Sequence, residues 1–257
     1  MPVAAIEEKA QSRTPEAGTT AASKLERLVK ADIIAGRLRP GASLKLKDVA
    51  ARYGGGVIPL REALSRLVAS GMVVAEDQKG FRVAPVSRRE LLDITRTRQQ
   101  IEALALKEAV ANGDVAWEAR VLAAHHQLSR LPLFEPAAGT MHPDWERAHD
   151  AFHEAVLSGC GSDCLMRIAR DLRDQSARYR HLSLRSDHGG KRDIALEHKA
   201  ILDAVLARDA IRACQLLVAH FGSTMELVIK DYPDTSLTKA KAAAPARPRS
   251  RAKAGAA

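Results

Sequence analysis

Aromatic residues make up only 4% of this 257-residue chain, so it is short of the side chains that favour sheet. Ala and Leu dominate instead, which favours helices. Cysteine is scarce as well: Cys160, Cys164 and Cys214 cannot all pair, so reduced thiols are expected. Cys160 and Cys164 have no second thiol pair beside them, which argues against a zinc ribbon. No apolar run approaches the roughly 18–20 residues that a spanning helix needs, and no early run reads as a signal peptide. The expected protein is soluble and cytoplasmic, with length enough for one large domain or two modest ones.

Negative charge is the next shortage, and it is local. The chain carries +9 overall. Residues 21–84 hold 12 Lys/Arg against 6 Asp/Glu, and residues 233–257 hold 6 against 1. The stretches 1–20 and 85–232 each come to −1. Basic charge concentrated on one small module and a tail points to phosphate binding there, while the large neutral remainder has a different role.

The module has a legible plan. Residues 1–20 lack any apolar period and are expected to be disordered. Leu25, Leu28, Val29, Asp32 and Ile33 follow helical spacing, and Gly36 stops that helix. Val49, Ala50, Tyr53 and Gly54 close a short helix, and Gly55-Gly56 turns the chain. Pro59, Leu60, Ala63, Leu64 and Leu67 carry a second helix. Met72 to Glu76 and Phe81 to Ala84 then read as two strands around Asp77-Gln78-Lys79-Gly80. The pattern is a winged helix–turn–helix over 21–84. Its recognition helix should begin at Gly56–Ile58, which puts Val57, Ile58 and Arg61 toward base edges. Arg61 has the chemistry for guanine O6 and N7, although a plain surface ion pair is the alternative. Lys45 and Lys47 are placed to meet phosphates, as are Lys79, Gly80 and Arg82 at the wing.

Pro85-Val86 breaks the strand, 85–90 forms a linker, and Ser87-Arg88-Arg89-Glu90 is a capping box. From 88 to 232 the pattern is helical throughout. Helices are expected from Ser87 to Asn112, Val115 to Arg130, Trp145 to Ser158, Cys164 to Leu184, Ile194 to Ala207 and Ala210 to Lys230. The fold class is therefore mainly α: the winged module followed by an antiparallel bundle of six to seven helices with room for a ligand. The tail 233–257 has no apolar face and is expected to be disordered, either adding non-specific DNA affinity or inert.

Three bundle helices present imidazole inward. His149 and His153 are four apart on one face, His198 lies among Ile194, Ile201 and Val205, and His220 lies among Leu216, Leu217 and Leu227. Neutral imidazoles converging in a bundle suit Zn, Ni, Fe or Cu, and a hydrogen-bonded polar core is the alternative. His125, His126, His142, His181 and His188 show no such pattern and are expected to be solvated. Arg98 sits on an apolar face, an expensive place for an unpaired charge, so either Glu102 or a ligand pairs with it. Arg178 and Tyr179 are further candidates for holding a ligand.

The run Gly36-Arg37-Leu38-Arg39-Pro40-Gly41, with Asp48-Val49-Ala50, Pro59-Leu60-Arg61-Glu62-Ala63-Leu64, Gly71-Met72-Val73 and Lys79-Gly80-Phe81-Arg82-Val83, resembles the N-terminal domain of GntR-type bacterial transcription regulators. It departs at Gly56 and Val57, where such proteins commonly carry Ser-Arg. The remainder resembles the FadR-type effector domain, in which an acid one helical turn before the histidine of a Phe-His pair joins two later histidines around a divalent metal. Phe152-His153, Glu197-His198 and Ala219-His220 match, and the acid position is His149, with Asp150 next to it. An all-histidine set favours zinc or nickel over manganese. The resemblance implies a nucleoid-associated homodimer on a two-fold operator, with a small organic acid as effector. The rival readings are a metal-dependent enzyme built on the histidines and a sequence-blind architectural DNA binder.

Overall fold

The computed structural model describes residues 20–77, 79–135, 141–184 and 192–231. The expected disordered segments lie outside these residues, as does His188. Thr20 is the exception: its side chain accepts from the Ser23 amide and caps the first helix. Contacts divide the chain after Val83 into two units.

The first unit contains helix α1 (Ala21–Ile34), a short strand β1 (Ser43–Leu44), α2 (Leu46–Tyr53), α3 (Val57–Ala69) and the strands β2 (Val73–Glu76) and β3 (Gly80–Val83). Gly54 and Gly55 take φ of 72° and 97° between α2 and α3, conformations that a Cβ resists. Leu25, Val29 and Ile33 of α1 meet Leu60, Ala63, Leu64 and Leu67 of α3 in the core. The hairpin is as expected, but the sheet has a third strand. β1 pairs antiparallel with β3, in the order β1-β3-β2. Two residues are too few to show a period, which is why β1 is invisible in sequence.

The second unit holds α4 (Arg88–Asn112), α5 (Val115–Ser129), α6 (Pro143–Leu157), a 3-10 turn (Ser158–Cys160), α7 (Asp163–Leu184), α8 (Ile194–Leu206) and α9 (Ala210–Asp231). Ser87 caps α4 by accepting from the Glu90 amide, and Asp114 and Asp193 cap α5 and α8 in the same way. Gly113 ends α4 under Trp117, where a Cβ would lie 2.1 Å from the indole. The core runs from Ala105, Leu106 and Trp117 through Phe152 and Val156 to Ile201, Val205, Leu217 and Phe221. Among the described residues no helix is long and apolar enough to cross a membrane.

Candidate metal centre and nucleic-acid interface

In the first unit, α3 starts at Gly56 without a side-chain cap. Val57, Ile58 and Arg61 stand exposed along its first turns, and Ile58 is 83% accessible, so these side chains are not needed for the core. Arg61 has no hydrogen bond or ion pair among the described residues, because Glu62 is taken by Arg66 at 2.5 Å. Lys45 precedes the first turn of α2, and it and Lys47 are exposed. Lys79 is exposed beside Gly80, whose φ is +89°. Arg82 differs from expectation. Its guanidinium turns back to Glu76 at 2.8 Å and to the Gly41 carbonyl at 2.5 Å, so it ties the wing strands together instead of reaching outward.

One important residue here escaped sequence reasoning. Asp32 accepts from Arg37 Nε and Arg52 Nη2 at 2.6 Å and from the Tyr53 hydroxyl at 2.5 Å, joining α1 to the end of α2. Burial alone would raise its pKa, but these three donors outweigh that and hold it below the usual value. The available signal was an acid on the apolar face of Leu25, Val29 and Ile33.

In the second unit α6, α8 and α9 bring His149, His153, His198 and His220 together, each buried, with one nitrogen of each lying within 4.8 Å of the others. Donors about 2.1 Å from one tetrahedral ion lie about 3.4 Å from each other, so the widest pair would draw in by up to about 1.4 Å on binding. His153 Nε2 and His198 Nε2 are buried without a hydrogen-bond partner among the described residues, an arrangement costly for a plain polar core. Burial pushes the pKa values of His149, His153 and His198 well below normal, helped by each other and by nearby arginines. His220 is lowered for the same reason, partly offset by Glu197. Neutral imidazole is the form a metal requires, so the residues fit a divalent ion. Asp150 turns to Arg180 at 3.2 Å and lies 3.5 Å from His149 Nδ1, outside the cluster.

Beside the histidines is a cavity of about 40 Å³, with His149 and His220 in its wall. That is room for about three waters. Arg98, Arg180 and Arg192 line it, with no carboxylate among the described lining residues. Arg98 donates to Glu102 and to Ser176, both at 2.7 Å, and lies 3.9 Å over the Phe221 ring. Its Nη2 is buried with no partner among the described residues. The choice between Glu102 and a ligand thus has a mixed answer: Glu102 takes Nε from outside the cavity wall and Ser176 takes Nη1, while Nη2 is left over. A wider cavity of about 760 Å³, lined by His125, His198, Lys199 and several leucines, shares Trp145, Arg192 and Ile194 with the small one.

Other expectations need correction. Arg178 does not line either cavity. It donates to the Ala84 and Pro85 carbonyls at 3.2 and 3.3 Å and to Glu90 at 2.8 Å, gripping the segment that leads into α4. Tyr179 puts its ring in the small cavity, but its hydroxyl is committed to Glu90 and Ser87. Of the histidines expected to be solvated, only His126 is exposed among those described. His142 caps α6 through Nδ1, His181 bonds Glu146 at 3.1 Å, and His125 packs edge-on to Phe152. Their partners are distant in sequence or lie in a cap, so no helical period reveals them.

Two domain models match the chain: "Bacterial regulatory proteins, gntR family" over 21–83, and "FCD domain" over 93–223. The chain belongs to the gntR family. GlaR, a transcriptional repressor of Escherichia coli K12, is 41% identical over 208 residues, 79% of this chain and 93% of GlaR. BphR of Paraburkholderia xenovorans LB400, an uncharacterised regulator, is 40% identical over 205 residues, 78% of this chain and 82% of BphR. The fold is also that of E. coli McbR/YncC, with a TM-score of 0.68 at 21% identity over 83% of this chain and 99% of that one. The protein is a transcription regulator with an FCD domain, and its relatives are regulators, not enzymes.

Proposed function

We propose that this regulator is a homodimeric repressor that binds a two-fold operator and is controlled by a small carboxylate in its FCD domain. The reader's part falls to Arg61, Val57 and Ile58 on α3, with Lys45, Lys47, Lys79 and the Gly80 backbone on phosphates. Repression is the role named for GlaR, with which the chain shares most of its length. The proposed cofactor is a divalent transition ion, zinc or nickel, on His149, His153, His198 and His220. Such an ion would supply a Lewis-acidic position for a carboxylate oxygen.

The single observation that carries the effector reading is the wall of the small cavity. Three arginines and two of the four histidines face it, and among the described residues no acid does. An anion entering it would meet Arg98, whose Nη2 has no acceptor among the described residues. The size of the space restricts the part held there to a carboxylate with few attached atoms.

Metal analysis of the purified protein, followed by a thermal-shift screen of mono- and dicarboxylates, tests this reading. A bound ligand raises the melting temperature by mass action. The expected result is near-stoichiometric zinc or nickel and a shift with at least one acid that is lost in Arg98→Ala. Protein that carries no metal, takes up none at micromolar zinc or nickel, and responds to no acid contradicts it.

A further inference from the structure

Four neutral imidazoles bring no negative charge to a dication, and among the described residues no carboxylate belongs to the cluster. The nearest acid that touches one of its members is Glu197, at the N-terminal end of α8. Its Oε2 lies 2.6 Å from His220 Nδ1. Arg192 grips the same carboxylate with both ends of its fork, Nε to Oε1 at 2.6 Å and Nη2 to Oε2 at 2.5 Å, and also donates to Thr224.

We infer that Glu197 is a positioning residue for the metal: it fixes His220 as the Nδ1–H tautomer, turns Nε2 to the ion, and lends the histidine shell the negative charge it lacks. This rests on the metal reading above and adds a residue that does not touch the ion.

The tautomer follows from counting hydrogens. Arg192 Nη2 also lies 3.1 Å from His220 Nδ1, so in principle it could donate there. That nitrogen has only two hydrogens, and its shorter contacts go to Glu197 Oε2 at 2.5 Å and to the His220 carbonyl at 2.9 Å. No proton is left for Nδ1 to accept. A carboxylate 2.6 Å away needs a donor, so Nδ1 must carry the hydrogen. Nε2 is then the lone-pair nitrogen of His220, as the unpartnered Nε2 atoms of His153 and His198 are free to be. A carboxylate accepting from a ligand imidazole raises that ligand's basicity and locks its ring. Arg192 acts differently, anchoring Glu197 while its own charge opposes the ion.

The test uses full-length wild type, Glu197→Ala, Glu197→Gln and Arg192→Ala, with zinc as the probe, competed against a chromophoric chelator. Glu197→Ala should weaken zinc about 10–100-fold. Glu197→Gln should lose less, because its amide oxygen still accepts from Nδ1–H but carries no charge. Arg192→Ala should stay within about threefold of wild type, since it removes a cation as well as an anchor. Nitrogen-15 NMR of the metal-free wild type should show His220 protonated at Nδ1. An Nε2–H tautomer overturns the inference whatever the variants do. So does zinc affinity unchanged in Glu197→Ala, or an equal loss in Arg192→Ala, which would make the group a structural clamp. Wild type that binds no zinc at all overturns the metal reading itself, a different outcome from wild type that binds and a Glu197→Ala that binds equally well.

Discussion

Replacing Asp32 with Ala should unfasten the DNA-reading unit. Three donors converge on this carboxylate at 2.5–2.6 Å, and its side chain is only 12% exposed. Hydrogen bonds to a charged group contribute about 1.5–3 kcal/mol each, but this figure cannot simply be tripled. Arg37 and Arg52 are 56% and 46% exposed and regain water when released, so each contributes about 0.2–1 kcal/mol, as surface pairs do. The Tyr53 hydroxyl and the partly buried stem account for the rest, for a total of about 2–3 kcal/mol. Hydrogen exchange of peptides from α1, α2 and α3 is the suitable assay, because both tryptophans, Trp117 and Trp145, report on the other unit. Protection there should fall by about 30–150-fold, the same energy expressed as an equilibrium constant, while α5 and α6 keep theirs. Operator affinity should fall with it, because α2 supports α3. A loss of protection below threefold would refute the assignment of Asp32 as the hub.

Arg61→Ala should remove discrimination between operator and scrambled duplex, a loss of about 1–3 kcal/mol, with the far-ultraviolet spectrum unchanged; unaltered discrimination in a binding titration would count against it. His153→Ala, His198→Ala and His220→Ala should each lower bound metal and the melting temperature, whereas exposed His126→Ala should change neither, as elemental analysis and calorimetry will show. The metal-free protein should lose stability in mild acid. His149, His153 and His198 are held neutral in the fold but gain protons below about pH 6.5 when unfolded, so the unfolded state binds more protons there. Each can contribute a slope of up to about 1.4 kcal/mol per pH unit below that point and none above it. Glu197 acts in the same direction at lower pH. Burial opposes its charge, but hydrogen bonds from Arg192 and His220 prevail and hold it at about 2, so its contribution is present above the normal value of 4.5 and lost toward 2. Urea titrations in chelator at pH 7.5, 6.5 and 5.5 should show a plateau and then a fall; a flat profile would contradict the buried-neutral assignment.

Much of the fold was legible in sequence because it depends on local spacing. The helix starts at Arg88, Val115 and Ile194 follow from caps and apolar period, and His149 and His153 share a face because they are one turn apart. Arg98 was conspicuous for the same reason, as a charge among isoleucines. What escaped depends on contacts between distant residues. Asp32 finds Arg52 and Tyr53 twenty and twenty-one positions away, and Arg178 reaches back to Ala84 and Glu90. Glu197 is next to His198 in sequence but serves His220, because consecutive helical side chains point about 100° apart. Arg82 turns to Glu76, a diagonal neighbour on β2, because a strand's period gives a side chain's face but not the acid it reaches across the sheet.

The central claim is that a small acid in the arginine-lined cavity controls operator binding, and affinity measured both ways tests it most directly. The carboxylate giving the largest thermal shift should be titrated calorimetrically into the metal-loaded protein, free and saturated with operator duplex. Coupling between two sites is typically about 1–3 kcal/mol and must be reciprocal. The account predicts that operator changes the acid's Kd by about 5–150-fold, and that the acid changes the operator's Kd by the same factor. Equal acid affinities with and without operator would contradict it.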